Sequence, residues 1–477
     1  MKPKISLREA LQDPNLLDMG DPSWLAWRAL LLACMGEPLE PAEMEHFRKL
    51  TGRQESPAEQ VSEFWGVVGR RGGKSRSIAA LAVYIGCLCD HEMLAVGETG
   101  RVIIIAGDRA QAGIILKYVA GIIDASPVLK QLVARQTAEE IELKNGVAIA
   151  VGTSNFRRVR GITGLAAIAD EIAFWHSEDS SNPDSEILTA LRPTLATTGG
   201  PLIAISSPYA RKGEMWTAYS RDYGADGDPS ILVAQGGTRD LNLSESKTLD
   251  DWIARQYERD PAAAAAEVGA QFRSDIETFV PLEIIRACTD PVAERMPERG
   301  HGYVGFVDPS GGASDAFTMA IAHMEGNIAV LDVVREVRPP FSPADVTEEF
   351  VSLLKGYNVS TVRGDRYGGQ WVTEQFNGHG MTLEPSELNK SEIYAELLPM
   401  LNSRTVALLD NERLVHQLNS LERRRGRTGR DTIDHPKGGH DDLINAAAGA
   451  LVLAQDGSAT SVPGFDRAIS YPAAGIA

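Results

Sequence analysis

The stretch Gly66-Val67-Val68-Gly69-Arg70-Arg71-Gly72-Gly73-Lys74-Ser75 constrains this chain more than any other. It follows Glu63-Phe64-Trp65 and leads into the helix-forming run Ser77-Ile78-Ala79-Ala80-Leu81-Ala82. An apolar strand, a glycine-rich turn and a helix in that order make an anion-binding loop, because glycines let backbone N–H groups turn toward phosphate at a helix N-terminus. Lys74 supplies a point charge and Ser75 a hydroxyl for Mg²⁺. The spacing departs from the standard pattern: Val68 stands where the first glycine would be, and Gly69 comes one position later. Gly69, Arg70, Arg71, Gly72, Gly73, Lys74, Ser75 and Arg76 are the expected nucleotide-binding residues.

A phosphate loop needs a carboxylate partner. Ala166-Ala167-Ile168-Ala169-Asp170-Glu171 reads as a buried strand delivering two acids at its end. There Asp170 would hold Mg²⁺ through water and Glu171 would polarise an attacking water. Ser206-Ser207-Pro208 closes the later run from Leu202, where a hydroxyl can sense the terminal phosphate. Of Arg157, Arg158 and Arg160, which precede the Asp170 strand, Arg160 is favoured as a phosphate-directed finger, with the other two left open; Arg70 and Arg71 are further candidates for neutralising phosphate.

Around these motifs, strand and helix signals alternate from residue 61 to about 215, as in a mostly parallel α/β sheet with its ligands at the strands' carboxyl ends. Val102 to Ala106 is a buried strand, and Ile141 to Ile149 a hairpin about Asn145-Gly146. With 477 residues the chain exceeds one core. The expected parts are a helical N-terminal lid or preface at 1–60, a nucleotide-binding core at 61–225, a small subdomain and linker at 226–298, a second domain at 299–455 and a flexible tail at 456–477. Arg53 and Gln54, just before the loop, read as a polar linker, with contact to adenine or phosphate as the other reading. No run approaches 18 uncharged apolar residues, so neither a membrane span nor a secretory signal is expected. Four cysteines, Cys34, Cys87, Cys89 and Cys288, are too few for a disulfide framework and read as core thiols.

The second domain opens with three antiparallel strands, Val304 to Asp308, Phe317 to Ala322 and Ile328 to Val334. Its acids fall at structural ends: Asp308 after the first strand, Asp365 after Thr361-Val362-Arg363, and Asp441-Asp442 opening the last helix, with Asp315 as a fourth. Carboxylates so placed can hold two Mg²⁺ or Mn²⁺ ions for phosphodiester hydrolysis, and oxygen ligands favour hard cations. His435 and His440 leave a zinc site open as the alternative. The net charge of -18 argues against a surface that grips nucleic acid throughout. Against that background Arg423, Arg424, Arg425, Arg427 and Arg430 form a local basic run suited to phosphate contact without sequence reading.

Taken in order, the arginine-rich loop, Asp170-Glu171, Ser206-Ser207-Pro208, Phe306-Val307-Asp308-Pro309 with Asp315, and His440-Asp441-Asp442 resemble the large terminase subunit of tailed bacteriophages and prophages. The resemblance runs from about 60 to 453. It implies an α/β architecture in which a P-loop NTPase domain of the ASCE type is followed by an RNase-H-like nuclease domain. It further implies ATP-driven translocation of double-stranded DNA into a procapsid, with metal-dependent cutting of concatemeric DNA. Lys74, Ser75, Asp170 and Glu171 would serve the ATPase, Arg160 would be the trans-acting arginine, and Ser206 and Ser207 the coupling motif. Asp308, Asp365 and Asp442 would bind metal, assisted by Asp441 and Asp315. Implied partners are the portal protein, a small terminase subunit and further copies of the chain in a ring, in the host cytoplasm and transiently on the procapsid. The alternative is an ATP-dependent helicase or DNA-repair nuclease.

Overall fold

Residues 2–153, 162–175, 183–312, 315–364, 369–425, 431–436 and 439–457 are described by the computed structural model. They fall into two compact units, Met1–Ile276 and Glu277–Ala477. Among the described residues no helix is long and apolar enough to cross a membrane. All four cysteines are buried and free, and burial alone pushes the Cys34 thiol up to about 12.

Apolar runs build the first unit's eight-stranded sheet. Its strands are β1 (Glu63–Val68), β2 (Gly100–Ala106), β3 (Val133–Gln136), β4 (Glu140–Leu143), β5 (Val147–Thr153), β6 (Thr163–Asp170), β7 (Leu202–Ser206) and β8 (Ile231–Gly236). They lie in the order β8-β1-β7-β6-β2-β5-β4-β3. Pairing is parallel from β8 to β5, and the hairpin about Asn145-Gly146 adds β4, then β3, antiparallel. Parallel strands covered on both faces must be apolar throughout, as β2, β6 and β7 are. The insertion of β7 between the loop strand β1 and the acid strand β6 is the P-loop NTPase arrangement of the ASCE type, and it brings Ser206 and Ser207 between loop and acids.

The N-terminal segment packs into this core. Helix α1 (Leu25–Cys34) is buried along its whole length, and α2 (Pro41–Thr51) buries Phe47 and Leu50. Both share one apolar cluster with α3 (Lys74–Leu88), which follows the phosphate loop, and with α4 (Arg109–Ala125). A helix as apolar as Leu25-Ala26-Trp27-Arg28-Ala29-Leu30-Leu31-Leu32 has no polar face to leave in water. Arg53 is likewise structural: its guanidinium donates to the carbonyls of Asp222, Gly224, Asp228 and Ile231 and pins the turn leading into β8. The segment expected as a small subdomain from 226 therefore begins by completing the first sheet.

The second unit has a six-stranded mixed sheet of β9 (Tyr303–Asp308), β10 (Phe317–Glu325), β11 (Ile328–Val337), β12 (Thr361–Gly364), β13 (Thr382–Pro385) and β14 (Val406–Ala407). The order is β13-β12-β9-β10-β11-β14, with β9, β10 and β11 antiparallel and β12 and β13 parallel to β9. Three antiparallel strands flanked by parallel ones on the first strand's open side make the RNase-H-like arrangement. Helix α5 (Pro343–Gly356) covers one face, with Phe350 and Leu354 in its cluster. Helices α6 (Lys390–Ser403) and α7 (Asp442–Gln455) share the other cluster. Alanines 446, 447, 448 and 450 let α7 lie close on the central strands. A hairpin of β15 (Glu422–Arg425) and β16 (Asp431–Asp434) precedes α7.

Candidate functional site

The phosphate loop is held by its carbonyls. Trp27 Nε1 donates to Gly72 O at 2.6 Å, Thr238 Oγ1 to Arg70 O at 2.7 Å and Asn242 Nδ2 to Arg71 O at 2.9 Å. The N–H groups of Gly69, Arg70 and Gly72 donate to the carbonyls of Gly236, Glu267 and Gly69, so those offered to an anion are the ones at Arg71 and from Gly73 onward. The glycine spacing has a steric cause. A Cβ at position 69 would stand 2.4 Å from Val268 O, and Gly73 adopts φ 91° against the rings of Trp24 and Trp27. The glycine requirement therefore falls on Gly69 in this chain, while Val68 completes the strand. Arg70 pairs with Glu267 at 3.2 Å. Arg70, Arg71, Lys74, Gln111, Glu171 and Phe174 line an open cleft of about 310 Å³.

Into this cleft β6 delivers the acids. Glu171 takes a left-handed conformation, φ 51°, that turns its carboxylate to the loop. Its Oε1 lies 2.6 Å from Lys74 Nζ, and its Oε2 accepts from Ser206 Oγ at 3.0 Å and Ser207 N at 3.1 Å. Lys74 Nζ also donates to Ser207 Oγ at 3.0 Å. Burial pushes the Glu171 carboxyl up, but Lys74 and the serines outweigh it and hold the carboxyl below its usual range. Asp170 behaves oppositely. Burial first and then the Glu171 charge raise it to about 7, although Lys74 pulls the other way. A divalent cation would offset what opposes the Asp170 charge. Arg76 does not join them: two positions after Lys74 it lies on the far side of α3, where it donates to Leu17 O at 2.8 Å. Arg157, Arg158 and Arg160 lie outside the described residues.

In the second unit, Asp308 ends β9 opposite Thr318 of β10. Asn445, one turn into α7, donates from Nδ2 to Asp308 Oδ2 at 2.8 Å, and Thr318 Oγ1 donates to the Asp442 carbonyl at 2.7 Å. Together they dock the helix start on the strand end. The Asp442 carboxyl is pushed up by burial, then by Asp441 and Asp315, with His440 and the Ala316 N–H opposing. Its Oδ2 stands 4.0 Å from His440 Nδ1. Asn445 Oδ1 is buried without a hydrogen-bond partner among the described residues. Crowded carboxylates and an unpaired amide oxygen fit hard divalent cations. Asp365 lies outside the described residues, as do Arg427 and Arg430; of Arg425 only the backbone is described.

Asp441, expected beside Asp442 as an assisting metal ligand, is already engaged. Its Oδ2 accepts from Tyr394 Oη at 2.9 Å and lies 3.1 Å from Lys390 Nζ. Lys390 also meets Asp434 at 2.6 Å. Sequence reasoning missed Lys390, Tyr394, Asp434 and Asn445. Only Asn445 carried a signal, as a polar residue inside the run Leu443 to Leu453. On the hairpin, Arg423 pairs with Asp431 at 2.5 Å, and Arg424 donates to Glu422 and to His435 O at 3.3 Å.

No protein-family model matches the chain, and no curated protein does. Among solved structures the chain is similar to bacteriophage large terminases. With the HK97 bacteriophage large terminase it shares 14% identity, covering 91% of this chain and all of that one at a TM-score of 0.39. With a large terminase from a thermophilic bacteriophage, solved in complex with ADP, the values are 11%, 90% of this chain, 98% of the other and 0.36. The large terminase nuclease from thermophilic phage G20c with bound magnesium matches 36% of this chain and 95% of its own length, at 17% identity and 0.32.

Proposed function

We propose that this chain is a DNA-packaging enzyme of the large terminase kind, an ATP hydrolase that translocates double-stranded viral DNA and a metal-dependent endonuclease that cuts it. The observation that carries the reading is the pair of centres in one chain: Lys74, Glu171, Ser206 and Ser207 knit at the mouth of a phosphate loop, and Asp308, Asn445 and Asp442 joined where a helix start meets a strand end.

In the first unit the terminal phosphates of ATP take the place of Glu171 on Lys74, as the loop's N–H groups and Arg71 receive the remaining charge. Ser75 and Asp170 would hold Mg²⁺, which when bound would supply charge neutralisation. Glu171, released from the ammonium, orients the attacking water and takes up its proton. Ser206 and Ser207 touch both Lys74 and Glu171, so loss of the phosphate reaches β7 and the chain beyond it. Arg160, of its own or a neighbouring subunit, completes the charge at the phosphate in a ring of copies.

In the second unit Asp308, Asp365 and Asp442, helped by Asp315, would hold two Mg²⁺ or Mn²⁺ ions, which would supply water activation and stabilisation of the leaving oxygen. Asn445 orients Asp308. The arginines from Arg423 to Arg430 contact the DNA backbone. The portal protein and a small terminase subunit are the partners of this reading, and the host cytoplasm and the procapsid its places of work.

The test separates the two activities. ATP turnover with and without double-stranded DNA, and nicking of supercoiled plasmid in Mn²⁺, are measured on wild type, Glu171→Ala and Asp308→Ala. Each variant should lose one activity and keep the other. Cleavage by Asp308→Ala equal to wild type removes the nuclease assignment, and separation of duplex strands by the wild-type chain selects a helicase instead.

A further inference from the structure

Asp434, His435 and Asp441 each present a ligand atom, all within 4.8 Å of one another. Two carboxylates and an imidazole are a donor set for a transition-metal ion. The imidazole is oriented for it: Nδ1 meets the Pro436 carbonyl at 2.8 Å and so carries the proton. Nε2 faces Asp434 Oδ1 at 3.8 Å and Asp441 Oδ1 at 3.9 Å.

A cation already stands there. Lys390 Nζ lies 2.6 Å from Asp434 Oδ1 and 3.1 Å from Asp441 Oδ2. Lys390 is the first residue of α6, where the helix dipole disfavours positive charge, so local helix energetics do not explain the lysine. The neighbouring residue strengthens the attachment. Ser391 Oγ donates to the Ile433 carbonyl at 2.9 Å and accepts from the Ile433 N–H at 3.1 Å. Lys390 and Ser391 together tie β16 of the arginine hairpin to the start of α6.

We propose that the Lys390 ammonium is a built-in cation filling the Asp434–His435–Asp441 cluster, which withholds Asp441 from metal ions and makes it a fixed support for Asp442. A divalent ion on the same oxygens would stand within about 4 Å of the ammonium, and their repulsion excludes joint occupancy. Asp441 is then a positioning residue: Lys390 and the buried Tyr394 hydroxyl hold its carboxylate, and its backbone opens α7 with Asp442 as the first helical residue. The functional consequence rests on the nuclease reading, whereas the occupancy of the cluster can be tested without it.

The experiment is a Mn²⁺ titration of the full-length chain, read by electron paramagnetic resonance of the free ion. Wild type is compared with Lys390→Met, Lys390→Arg, Asp441→Asn and the double variant Lys390→Met/Asp441→Asn. Lys390→Met should bind one Mn²⁺ more per chain than wild type, and adding Asp441→Asn should remove that ion. Lys390→Arg and Asp441→Asn alone should keep the wild-type count. Equal stoichiometry in wild type and folded Lys390→Met overturns the proposal. So does loss of an ion in Asp441→Asn alone, a result that decides the matter even if Lys390→Met does not fold. Repeating the titration in an Asp308→Ala background keeps the readings apart: the gain of one ion on Lys390→Met persists there even if the nuclease assignment fails.

Discussion

The two centres use the same raw material, carboxylates at the ends of buried strands, and treat its charge in opposite ways. In the first, Glu171 is matched inside the protein by Lys74 at 2.6 Å and by two serines, which leaves Asp170 as the carboxyl whose charge is opposed. In the second, Lys390 is committed to Asp434 and Asp441, while Asp315 and Asp442 repel each other. On the proposed function, the lysine on Glu171 is a counter-charge that substrate phosphate would displace, which would arrange the first centre for exchange. The lysine on Asp441 would leave Asp442 for ions from solution, which would arrange the second for recruitment.

The largest expected effects test this contrast directly. Glu171→Ala should lower ATP turnover by about 10³-fold, in the range of a lost general base, while fluorescent ATP-analogue binding stays the same or tightens because Lys74 is freed. Weakened binding would show that Glu171 supports the loop instead of competing for its lysine. Asp308→Ala should lower Mn²⁺-dependent plasmid nicking by at least about 100-fold without changing ATP turnover, since its role is to hold a recruited ion. If raising Mn²⁺ about tenfold restores the wild-type rate, Asp308 is an outlying ligand and the contrast narrows to Asp442.

The features legible in the sequence are those carried by contiguous residues. Gly69 to Ser75, Ala166 to Glu171 and the hairpin about Asn145-Gly146 each contain their own geometry, and the structure places them as a loop entering a helix, a strand ending in an acid turn, and an antiparallel pair. Illegible features depend on distant segments meeting. The pairing of β8 with β1 joins Val233 to Trp65, and Trp27 reaches Gly72 from a helix 45 residues earlier. Lys390 beside Asp441 is of the same kind. Arg76 misled for a different reason: adjacency to Lys74-Ser75 suggested a shared target, but two residues along a helix rotate a side chain by about 200°. The sheet orders follow from strand pairing and could only be read once the β7 insertion and the flanking β12 and β13 were seen.

A smaller effect concerns Asp170, whose environment disfavours its charge in the absence of metal. Its carboxyl is raised in the folded state to about 7, so the folded state prefers the proton. Its contribution to stability is therefore full below the ordinary carboxylate range and is lost as pH rises through about 7. Asp170→Asn removes that dependence. Without divalent cations the variant should match wild type near pH 4 and exceed it at pH 8 by on the order of 2 kcal/mol, or about 4–8 °C in melting temperature. Thermal melts across that range check the sign. A difference that stays constant with pH would mean the raised carboxyl is not the cause. Adding Mg²⁺ and nucleotide should narrow the gap by stabilising wild type alone.

The smallest expected effect decides how the N-terminal helices serve the first centre. Trp27 lies in the shared apolar core and its indole donates to the Gly72 carbonyl at 2.6 Å. Trp27→Phe keeps most of the packing and removes the donor, leaving a buried carbonyl unpaired at a cost of about 1 kcal/mol. Because the carbonyl belongs to the phosphate loop, part of that cost is recovered when the loop rearranges, so the change should appear in nucleotide affinity. The expected result is a dissociation constant raised about two- to threefold with saturated turnover changed less than about twofold. Trp24→Phe, which alters the ring against Gly73 without removing a bond to the loop, is the comparison. Equal affinities in wild type and Trp27→Phe would make the N-terminal helices a covering of the core, whereas a fall confined to Trp27→Phe would make them the brace that holds the loop's carbonyls away from phosphate.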